Sequence, residues 1–231
     1  MLLDVKDLHT FYEQSHVLQG VSLNAEKDEI VGLLGRNGVG KTTFLKSIIG
    51  FVKPKKGTIL FKGQDITYLP SFVKARMGIG YVPEDRRLFP RLTTMENLRT
   101  AVVASGKKEG IDKCLQLFPD LKDLLDRRAG RLSGGEQEML SIARALIGNK
   151  SLLLLDEPLT GLAPKIVKRL IESIKKLKET SSVILVEQNI RAALRIVDRV
   201  YVMKDGKIIF EGTPKQIHKN KEVQKSLVIE R

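Results

Sequence analysis

Residues Gly35 to Thr42 form a glycine-rich segment that reads GRNGVGKT and fits the pattern G-x-x-x-x-G-K-[ST]. In this pattern backbone N–H groups close around phosphate oxygens, the lysine reaches the β and γ phosphates, and the following hydroxyl ligates Mg²⁺. An apolar strand pattern, Val31–Leu34, precedes the segment, and a helical pattern, Lys41–Ile49, follows it. The sequence therefore predicts a phosphate-binding loop. Its candidate binding residues are Gly35, Arg36, Asn37, Gly38, Val39, Gly40, Lys41, Thr42 and Thr43.

Two adjacent acids, Asp156 and Glu157, follow the apolar run Leu152–Leu155. The carboxyl ends of parallel strands face the crevice where such sheets bind ligands, so Asp156 could hold Mg²⁺ directly or through water. Glu157 is then placed to polarise an attacking water. The alternative is a strand followed by an acidic helix cap. The phosphate-binding loop in the same chain favours the catalytic interpretation.

The segment LSGGE, Leu132–Glu136, precedes a helical pattern. Ser133-x-x-Glu136 is a capping box, and the two glycines between them could simply serve the turn. A Ser-Gly-Gly sequence at a helix N-terminus is also a place where an anion can bind. The residues alone do not decide between these interpretations.

Apolar runs of strand length recur along the chain and position these segments. In chain order they are Val31–Leu34, Ile79–Val82, Leu152–Leu155, Val183–Val186 and Val200–Met203. Amphipathic helical patterns separate the last three of these runs. Strands that alternate with helices favour an α/β fold with a mainly parallel sheet.

Two regions depart from this alternation. The first 30 or so residues and Gly57–Phe61 have strand patterns with no helix between them, which predicts an N-terminal antiparallel β subsheet. From about residue 93 to 147 several helical patterns follow one another, the first beginning at a capping box, Thr93-x-x-Glu96. We therefore expect one domain over residues 1–231, with a helical subdomain at about 87–150 inserted in its α/β core.

Composition excludes several classes of protein. The 231 residues are 42% hydrophobic, which excludes intrinsic disorder, and a single cysteine, Cys114, excludes a disulfide scaffold or a zinc site of paired cysteines. No run approaches the roughly 18 apolar residues of a membrane span. Lys and Arg outnumber Asp and Glu by 40 − 27 = 13. A lysine-rich solvated surface explains this charge best, and a membrane-facing surface or nucleic-acid binding remain open.

The order of the segments resembles the ATP-binding subunit of ABC transporters. The phosphate-binding loop comes first, followed by LSGGE, by LLLLDEP at 152–158 and by VEQN at 186–189, and the resemblance extends over essentially the whole chain. It implies a P-loop NTPase that binds ATP and Mg²⁺ and hydrolyses the ATP. In that family the LSGGQ-type segment of one subunit closes over the ATP of the other, so Ser133, Gly134 and Gly135 would contact the partner's nucleotide.

The resemblance also places the family's adenine-stacking aromatic at Tyr12, with Phe11 as the second choice. A ring that stacks on a purine makes sense of an otherwise exposed aromatic side chain. The other interpretation of Tyr12 is a core aromatic on an edge strand.

Four positions depart from the family's usual residues. They are Glu84 and Glu136 in place of glutamine, Gln188 in place of a histidine that touches the γ-phosphate, and Ala163 in place of aspartate. Gln188 can donate a hydrogen bond but cannot become charged. Glu84 could draw Mg²⁺ more strongly than glutamine, at the cost of repulsion from phosphate. The candidate Mg²⁺ ligands are thus Thr42, Glu84 and Asp156, and the candidate catalytic residues are Glu157 and Gln188.

The longer patterns at residues 81–98, 132–140, 161–164 and 185–194 look like the smaller ATPase subunit of branched-chain amino-acid importers and its relatives for urea and short amides. This resemblance implies a peripheral subunit on the cytoplasmic face of the membrane. Its partners would be two permeases, a second ATPase subunit in a favoured heterodimer, and indirectly an extracytoplasmic binding protein.

Three alternatives stay open on the sequence alone. They are lipid export by the same ATPase fold, a subunit whose own site barely hydrolyses ATP, and an ATPase that acts on ribosomes or nucleic acid. The chain has one phosphate-binding loop and one LSGGE, and its aromatics total only 5%, so nucleic acid is not an expected partner.

Overall fold

The computed structural model describes residues 1–106, 110–217 and 219–227. In this part of the chain the strands are β1 (Leu3–Tyr12), β2 (Ser15–Ala25), β3 (Ile30–Leu34), β4 (Lys56–Phe61), β5 (Gln64–Asp65), β6 (Ile79–Val82), β7 (Leu152–Asp156), β8 (Ser182–Glu187), β9 (Arg199–Lys204) and β10 (Lys207–Gly212). The α-helices are α1 (Lys41–Ile49), α2 (Ser71–Arg76), α3 (Thr94–Ser105), α4 (Ile111–Leu117), α5 (Gly134–Leu146), α6 (Pro164–Leu177), α7 (Ile190–Ala193), α8 (Pro214–Ile217) and α9 (Lys221–Leu227).

The larger sheet has six strands in the order β10-β9-β3-β8-β7-β6. The five strands from β9 to β6 are parallel, and β10 pairs antiparallel with β9 at one edge. The five apolar runs of the sequence form β3, β6, β7, β8 and β9, which confirms the mainly parallel α/β core. The sequence patterns did not indicate β10, because only alternate residues of this strand are partly buried.

The register of the parallel strands places the candidate segments at one edge. Leu34, the last residue of β3, lies opposite Glu187 of β8, and Asp156 of β7 lies opposite Val186. The carboxyl ends of β3, β7 and β8 therefore lie side by side. Ligands bind at this edge in open parallel sheets.

The N-terminal residues form a second sheet, in the order β2-β1-β4-β5, in which every pair is antiparallel. This confirms the expected antiparallel subsheet. Its apolar side chains join those of α1 and of one face of the parallel sheet in a single buried cluster, which includes Leu3, Phe44, Phe61, Leu152 and Leu154. The two sheets and α1 thus share a core.

The opposite face of the parallel sheet is covered mainly by helices. Leu153 and Leu155 of β7 point into a second buried cluster with side chains from α3 to α6. Because β7 is buried on both faces, it reads as an unbroken apolar run rather than an alternating one.

Between β6 and β7 the described residues form α3, α4, α5 and two short 3₁₀ helices, with no strand apart from one isolated bridge between Thr93 and Arg128. The capping boxes at Thr93 and Ser133 are both formed, by reciprocal bonds with Glu96 and Glu136. The proposed subdomain at about 87–150 covers these helices. Its bounds stay a prediction.

Candidate functional site

The loop between β3 and α1 is shaped by glycines whose backbone conformation or close contacts disfavour a side chain. Gly38 and Gly40 have φ of 79° and 111°, in the left-handed region that favours glycine. A Cβ on Gly35 would lie 2.5 Å from the carbonyl oxygen of Met203. Gly40 is the N-cap of α1 and supplies no side-chain cap to its first N–H groups. The N-terminus of α1 therefore presents N–H donors that suit an anion.

Lys41 is held inside this loop. Its side chain is 4% exposed, and Nζ donates to the carbonyl oxygens of Gly35 and Arg36, both at 3.0 Å. The same ammonium forms an ion pair with Oε1 of Glu157 at 3.2 Å. A lysine and a glutamate that are 116 residues apart in sequence, 157 − 41, thus neutralise one another at the centre of the site.

Asp156 ends β7 and is 1% exposed. Its Oδ1 accepts a hydrogen bond from Thr42 Oγ1 at 2.9 Å, and its Oδ2 accepts one from the Tyr81 hydroxyl at 3.1 Å. Burial raises the pKa of Asp156, the two hydroxyls lower it, and the nearby Glu157 and Glu84 raise it. The sequence reasoning missed Tyr81, although an isolated tyrosine in an apolar run is a signal for a buried hydroxyl with a partner.

Glu157 has a strained backbone. Its φ is 50°, in the left-handed region, and its N–H donates to Val186 of β8 at 2.9 Å. Its second carboxylate oxygen accepts from Thr160 Oγ1 at 3.2 Å. Strained residues of this kind are concentrated at functional sites, where the surrounding structure holds them in place.

A cavity of about 290 Å³ lies above this edge. It is lined by Val17, Asn37, Gly38, Gly40, Lys41, Thr42, Thr43, Glu84 and Glu157. Asp156 borders it through its bond to Thr42. A hydroxyl and one buried carboxylate fit Mg²⁺, which is usually held by one or two protein oxygens together with phosphates and water. No cluster of three or more His, Cys, Asp or Glu among the described residues could hold a metal without such help.

Tyr12 and Gln188 lie outside the residues that line this cavity, as far as the described chain shows. Tyr12 is 44% exposed at the end of β1, so the core interpretation of this ring is wrong. The neighbouring Phe11 is already covered, because His16 stacks on it at 4.1 Å and the Lys55 ammonium lies 4.4 Å from its centroid. Gln188 is exposed just after β8.

Glu187, next to Gln188, is a second residue that the sequence reasoning missed. Its buried carboxylate accepts from the backbone N–H of Leu159 at 2.8 Å and of Asn189 at 3.2 Å. It thereby ties the turn after Glu157 to the turn that carries Gln188. Burial raises the pKa of Glu187 to about 7. A carboxylate at the end of an otherwise apolar buried strand was the available signal.

The segment Ser133–Gly135 is at the start of α5, away from the cavity in this chain. Ser133 and Gly134 are exposed, whereas Gly135 is buried under Ile166 of α6. Ser133 Oγ accepts the Glu136 N–H at 3.4 Å as the helix cap. Two of the three residues can therefore face another molecule directly.

The sequence is similar to those of known ATP-binding proteins. Residues 18–160 match the family model described as ABC transporter. The chain is 42% identical over 227 residues to the "High-affinity branched-chain amino acid transport ATP-binding protein BraG" of Pseudomonas aeruginosa, covering 96% of this chain and 97% of that protein.

Two further relatives span nearly the full chain. The "Probable branched-chain amino acid transport ATP-binding protein LivF" of Archaeoglobus fulgidus is 37% identical, with 97% of each chain covered. The "Lipopolysaccharide export system ATP-binding protein LptB" of Haemophilus influenzae is 36% identical, covering 97% of this chain and 95% of that protein.

Solved structures agree with the fold. A nucleotide-free ATP-binding cassette from an ABC transporter superposes with a TM-score of 0.88 at 27% identity, covering 100% of this chain and 99% of that one. A dimeric ATP-binding cassette bound to ADP and Pi superposes with a TM-score of 0.81 at 26% identity, covering 92% and 99%. Among the described residues, no helix combines the length and the apolar character that a membrane crossing requires.

Proposed function

The chain belongs to the ABC transporter family and is an ATPase subunit of a transporter, and from that premise we propose that it drives the import of branched-chain amino acids. Two transmembrane permeases would carry the cargo, and a second ATPase subunit would complete the motor, as a heterodimer in preference to a homodimer. An extracytoplasmic binding protein would deliver the cargo. The subunit would sit on the cytoplasmic face of the membrane.

The observation that carries the hydrolytic part of this proposal is the convergence of four side chains on one cavity. Lys41, Thr42 and Glu157 line it, and Asp156 borders it through Thr42. The loop amides and Lys41 would bind the phosphates of ATP, while Thr42 and Asp156, with Glu84 near them, would hold Mg²⁺. When bound, Mg²⁺ offsets the charge that develops on the phosphate oxygens.

The ion pair between Lys41 and Glu157 gives ATP binding a way to free the Glu157 carboxylate for hydrolysis. The phosphates compete with Glu157 for the Lys41 ammonium, and this frees the carboxylate. Glu157 then orients a water for in-line attack on the γ-phosphorus and accepts its proton, as the bond from phosphorus to the ADP oxygen breaks. Gln188 would donate to the γ-phosphate, and Tyr12 would stack on the adenine.

The second half of each site would come from the partner subunit. Ser133 and Gly134 are exposed at the N-terminus of α5, where N–H donors face outward. They would contact the ATP held by the other subunit, with Gly135 beneath them. A second cavity, of about 330 Å³, is lined by Glu84, Leu88 and Pro90 among others, and Phe89 beside it is 50% exposed. A short permease helix would dock there.

Lipopolysaccharide export is the second candidate function. The observation in its favour is that the LptB relative, at 36% identity, is almost as similar to this chain as the archaeal LivF, at 37%. Import of urea or short amides is a third possibility that the sequence resemblance leaves open. None of the residues placed in the ATP site would touch a cargo, so the partners must discriminate between these functions.

The test is capture of the tagged Glu157→Gln subunit from solubilised native membranes with Mg-ATP, followed by mass spectrometry. This variant should keep ATP binding but hydrolyse at least ~100-fold more slowly, because it lacks the general base. Glu172→Gln, on the exposed side of α6, is the matched control and should hydrolyse normally. Two permeases, a second ATPase and loss of labelled leucine uptake in Glu157→Gln cells would support the import proposal. Lipopolysaccharide-transport partners, or unchanged leucine uptake, would contradict it.

A further inference from the structure

Residues 84–87, called the Glu84 segment below, follow β6 and have an unusual backbone. Arg86 and Arg87 are consecutive, neither is glycine, and their φ values are 58° and 46°. Left-handed backbone is strained for residues other than glycine, and such residues persist only where the surroundings hold them. The segment begins at Glu84, whose side chain lines the nucleotide cavity.

Helix α5 supplies the groups that hold this segment. The carbonyl oxygen of Arg86 accepts from Ser141 Oγ at 2.9 Å and from Arg144 Nη2 at 3.2 Å, and that of Arg87 accepts from the same nitrogen at 2.6 Å. In return, Arg86 Nε donates to Oε2 of Glu138 at 2.7 Å, and Nη1 donates to Gln137 at 3.3 Å. All four α5 residues lie on one face of the helix.

Glu138 is the buried member of this network. Its side chain is 3% exposed, and Arg86, at 26%, shields it from solvent. Burial raises the pKa of Glu138, and the Arg86 guanidinium opposes that rise. Removing one partner of such a pair leaves an uncompensated buried charge, so the contact is costly to break. The adjacent pair Arg87–Asp85 is 61% and 64% exposed and lacks this property.

The Arg86–Glu138 pair lies between two segments of the proposed ATP sites. Glu84 is on one side, two residues before Arg86 in the chain. On the other side is the start of α5, where a Cβ on Gly134 would lie 3.8 Å from both terminal nitrogens of Arg86. Under the proposed function, Glu84 serves the ATP bound by this chain, whereas Ser133 and Gly134 serve the ATP of the partner.

We propose that the Arg86–Glu138 ion pair is a positioning contact that makes the Glu84 segment and the N-terminus of α5 move together. ATP on this chain's own phosphate-binding loop would then set the position of Ser133–Gly135 over the partner's ATP. The pair would contribute little to ATP affinity and much to the coupling between the two sites. This inference rests on the proposed function, since it needs a second ATP at the dimer interface.

The first experiment measures coupling within the chain by amide hydrogen exchange of the full-length subunit, with and without Mg-ATP, in the Glu157→Gln background. ATP should slow exchange of amides 134–137 by about tenfold, and Arg86→Gln should abolish that effect while changing the ATP Kd less than about twofold. Arg87→Gln is the matched control and should behave as the parent does. Equal behaviour of Arg86→Gln and Arg87→Gln would overturn the proposal.

The second experiment uses the transporter complex purified through a tagged subunit that keeps Glu157. The Hill coefficient of its ATP hydrolysis should exceed one and should fall to about one in Arg86→Gln. Arg86→Met/Glu138→Met removes both charges, so it should regain the thermal stability that Arg86→Gln loses but not the Hill coefficient. Recovery of both, or a Hill coefficient of one in the parent complex, would overturn the proposal. If the parent bound no ATP at all, the proposed function itself would fail.

Discussion

Gly135 offers a test of whether a glycine of the LSGGE segment is required for packing or for contact with nucleotide. An added methyl at Gly135 would lie well inside 3.0 Å of Ile166 Cγ2, and 3.3 Å from Ile166 Cβ and Cγ1. At the neighbouring Gly134 the nearest atom to such a methyl is Leu162 Cδ2, at 3.7 Å, an ordinary contact. Gly135→Ala and Gly134→Ala therefore introduce the same methyl with and without a clash.

The loss of stability expected for Gly135→Ala follows from the contact between Gly135 and α6. To restore normal separation, α5 or Ile166 has to move by roughly 1 Å, and so large an overlap costs about 2–3 kcal/mol, the upper part of the usual range for overpacking. Alanine recovers up to about 1 kcal/mol through its higher helix propensity. The net loss of about 1–2 kcal/mol lowers Tm by roughly 2–8 °C for a chain of this length. Gly134→Ala should leave Tm unchanged or raise it slightly.

The assay combines thermal unfolding without nucleotide and ATPase activity of the transporter complex purified through a tagged subunit that keeps Glu157. Gly134→Ala should lower ATPase activity with Tm intact, because Gly134 is exposed where the partner's ATP would lie. Gly135→Ala should lower both. Ile166→Ala in the Gly135→Ala background empties the contested space, and a double-mutant cycle should give a favourable coupling of about 1 kcal/mol or more. A wild-type Tm for Gly135→Ala, or no coupling to Ile166, would refute the packing argument.

Three further predictions follow from single side chains. Lys41→Ala should weaken ATP binding by at least about 100-fold in a titration with fluorescent ATP, because the ammonium is the charged donor inside the loop; normal affinity would contradict the assignment of the loop. Gln188→His should change kcat more than the Kd for ATP, and equal effects on both would argue against contact with the γ-phosphate. Lys74 is fully buried, and burial lowers its pKa from 10.5 to about 8, so the unfolded chain binds more protons between these values. Urea unfolding should therefore show that the free energy of unfolding of wild type rises relative to that of Lys74→Met as pH rises from about 8 towards 10.5. Below about pH 8 the difference between the two free energies should be constant. A difference that does not change with pH over the whole range would show that Lys74 keeps its ordinary pKa.

Local signals in the sequence were sufficient for the parallel sheet. Each of its five strands is an apolar run buried on both faces, so the pattern survives without knowledge of the neighbours. The edge strand β10 has no such run, because its side chains alternate between exposed and half-buried. Its pairing with β9 depends on a two-residue turn at Asp205 and Gly206, both with positive φ. That turn was the signal available for it.

Local sequence signals likewise predict one part of the candidate site and miss another. The phosphate-binding loop is one continuous segment, the Asp156–Glu157 pair is another, and each follows a strand that ends at the same edge of the sheet. Tyr81 and the Arg86–Glu138 pair depend on contacts between residues 75 and 52 positions apart. The Arg86–Glu138 pair has no pattern of its own in one sequence, since an arginine in a polar segment is ordinary, and Tyr81 stands out in its apolar run without indicating its partner. Only the register of β6 beside β7, and of α5 over the Glu84 segment, brings them to their partners.

Under the proposed function, one contact among the buried groups around the cavity would have to change when ATP binds. Every buried side-chain nitrogen and oxygen among the described residues has a hydrogen-bond partner. Asp156 is held by two neutral hydroxyls, and Glu187 by two backbone N–H groups, so neither depends on the charge that ATP would displace. Lys41 and Glu157 are different, because each is the other's counter-ion. A triphosphate would supply Lys41 with a stronger counter-charge, at an ammonium that the Gly35 and Arg36 carbonyl oxygens already hold in the loop. The cost of separating the pair would fall on Glu157, whose freed carboxylate is the base that the proposed function assigns to hydrolysis.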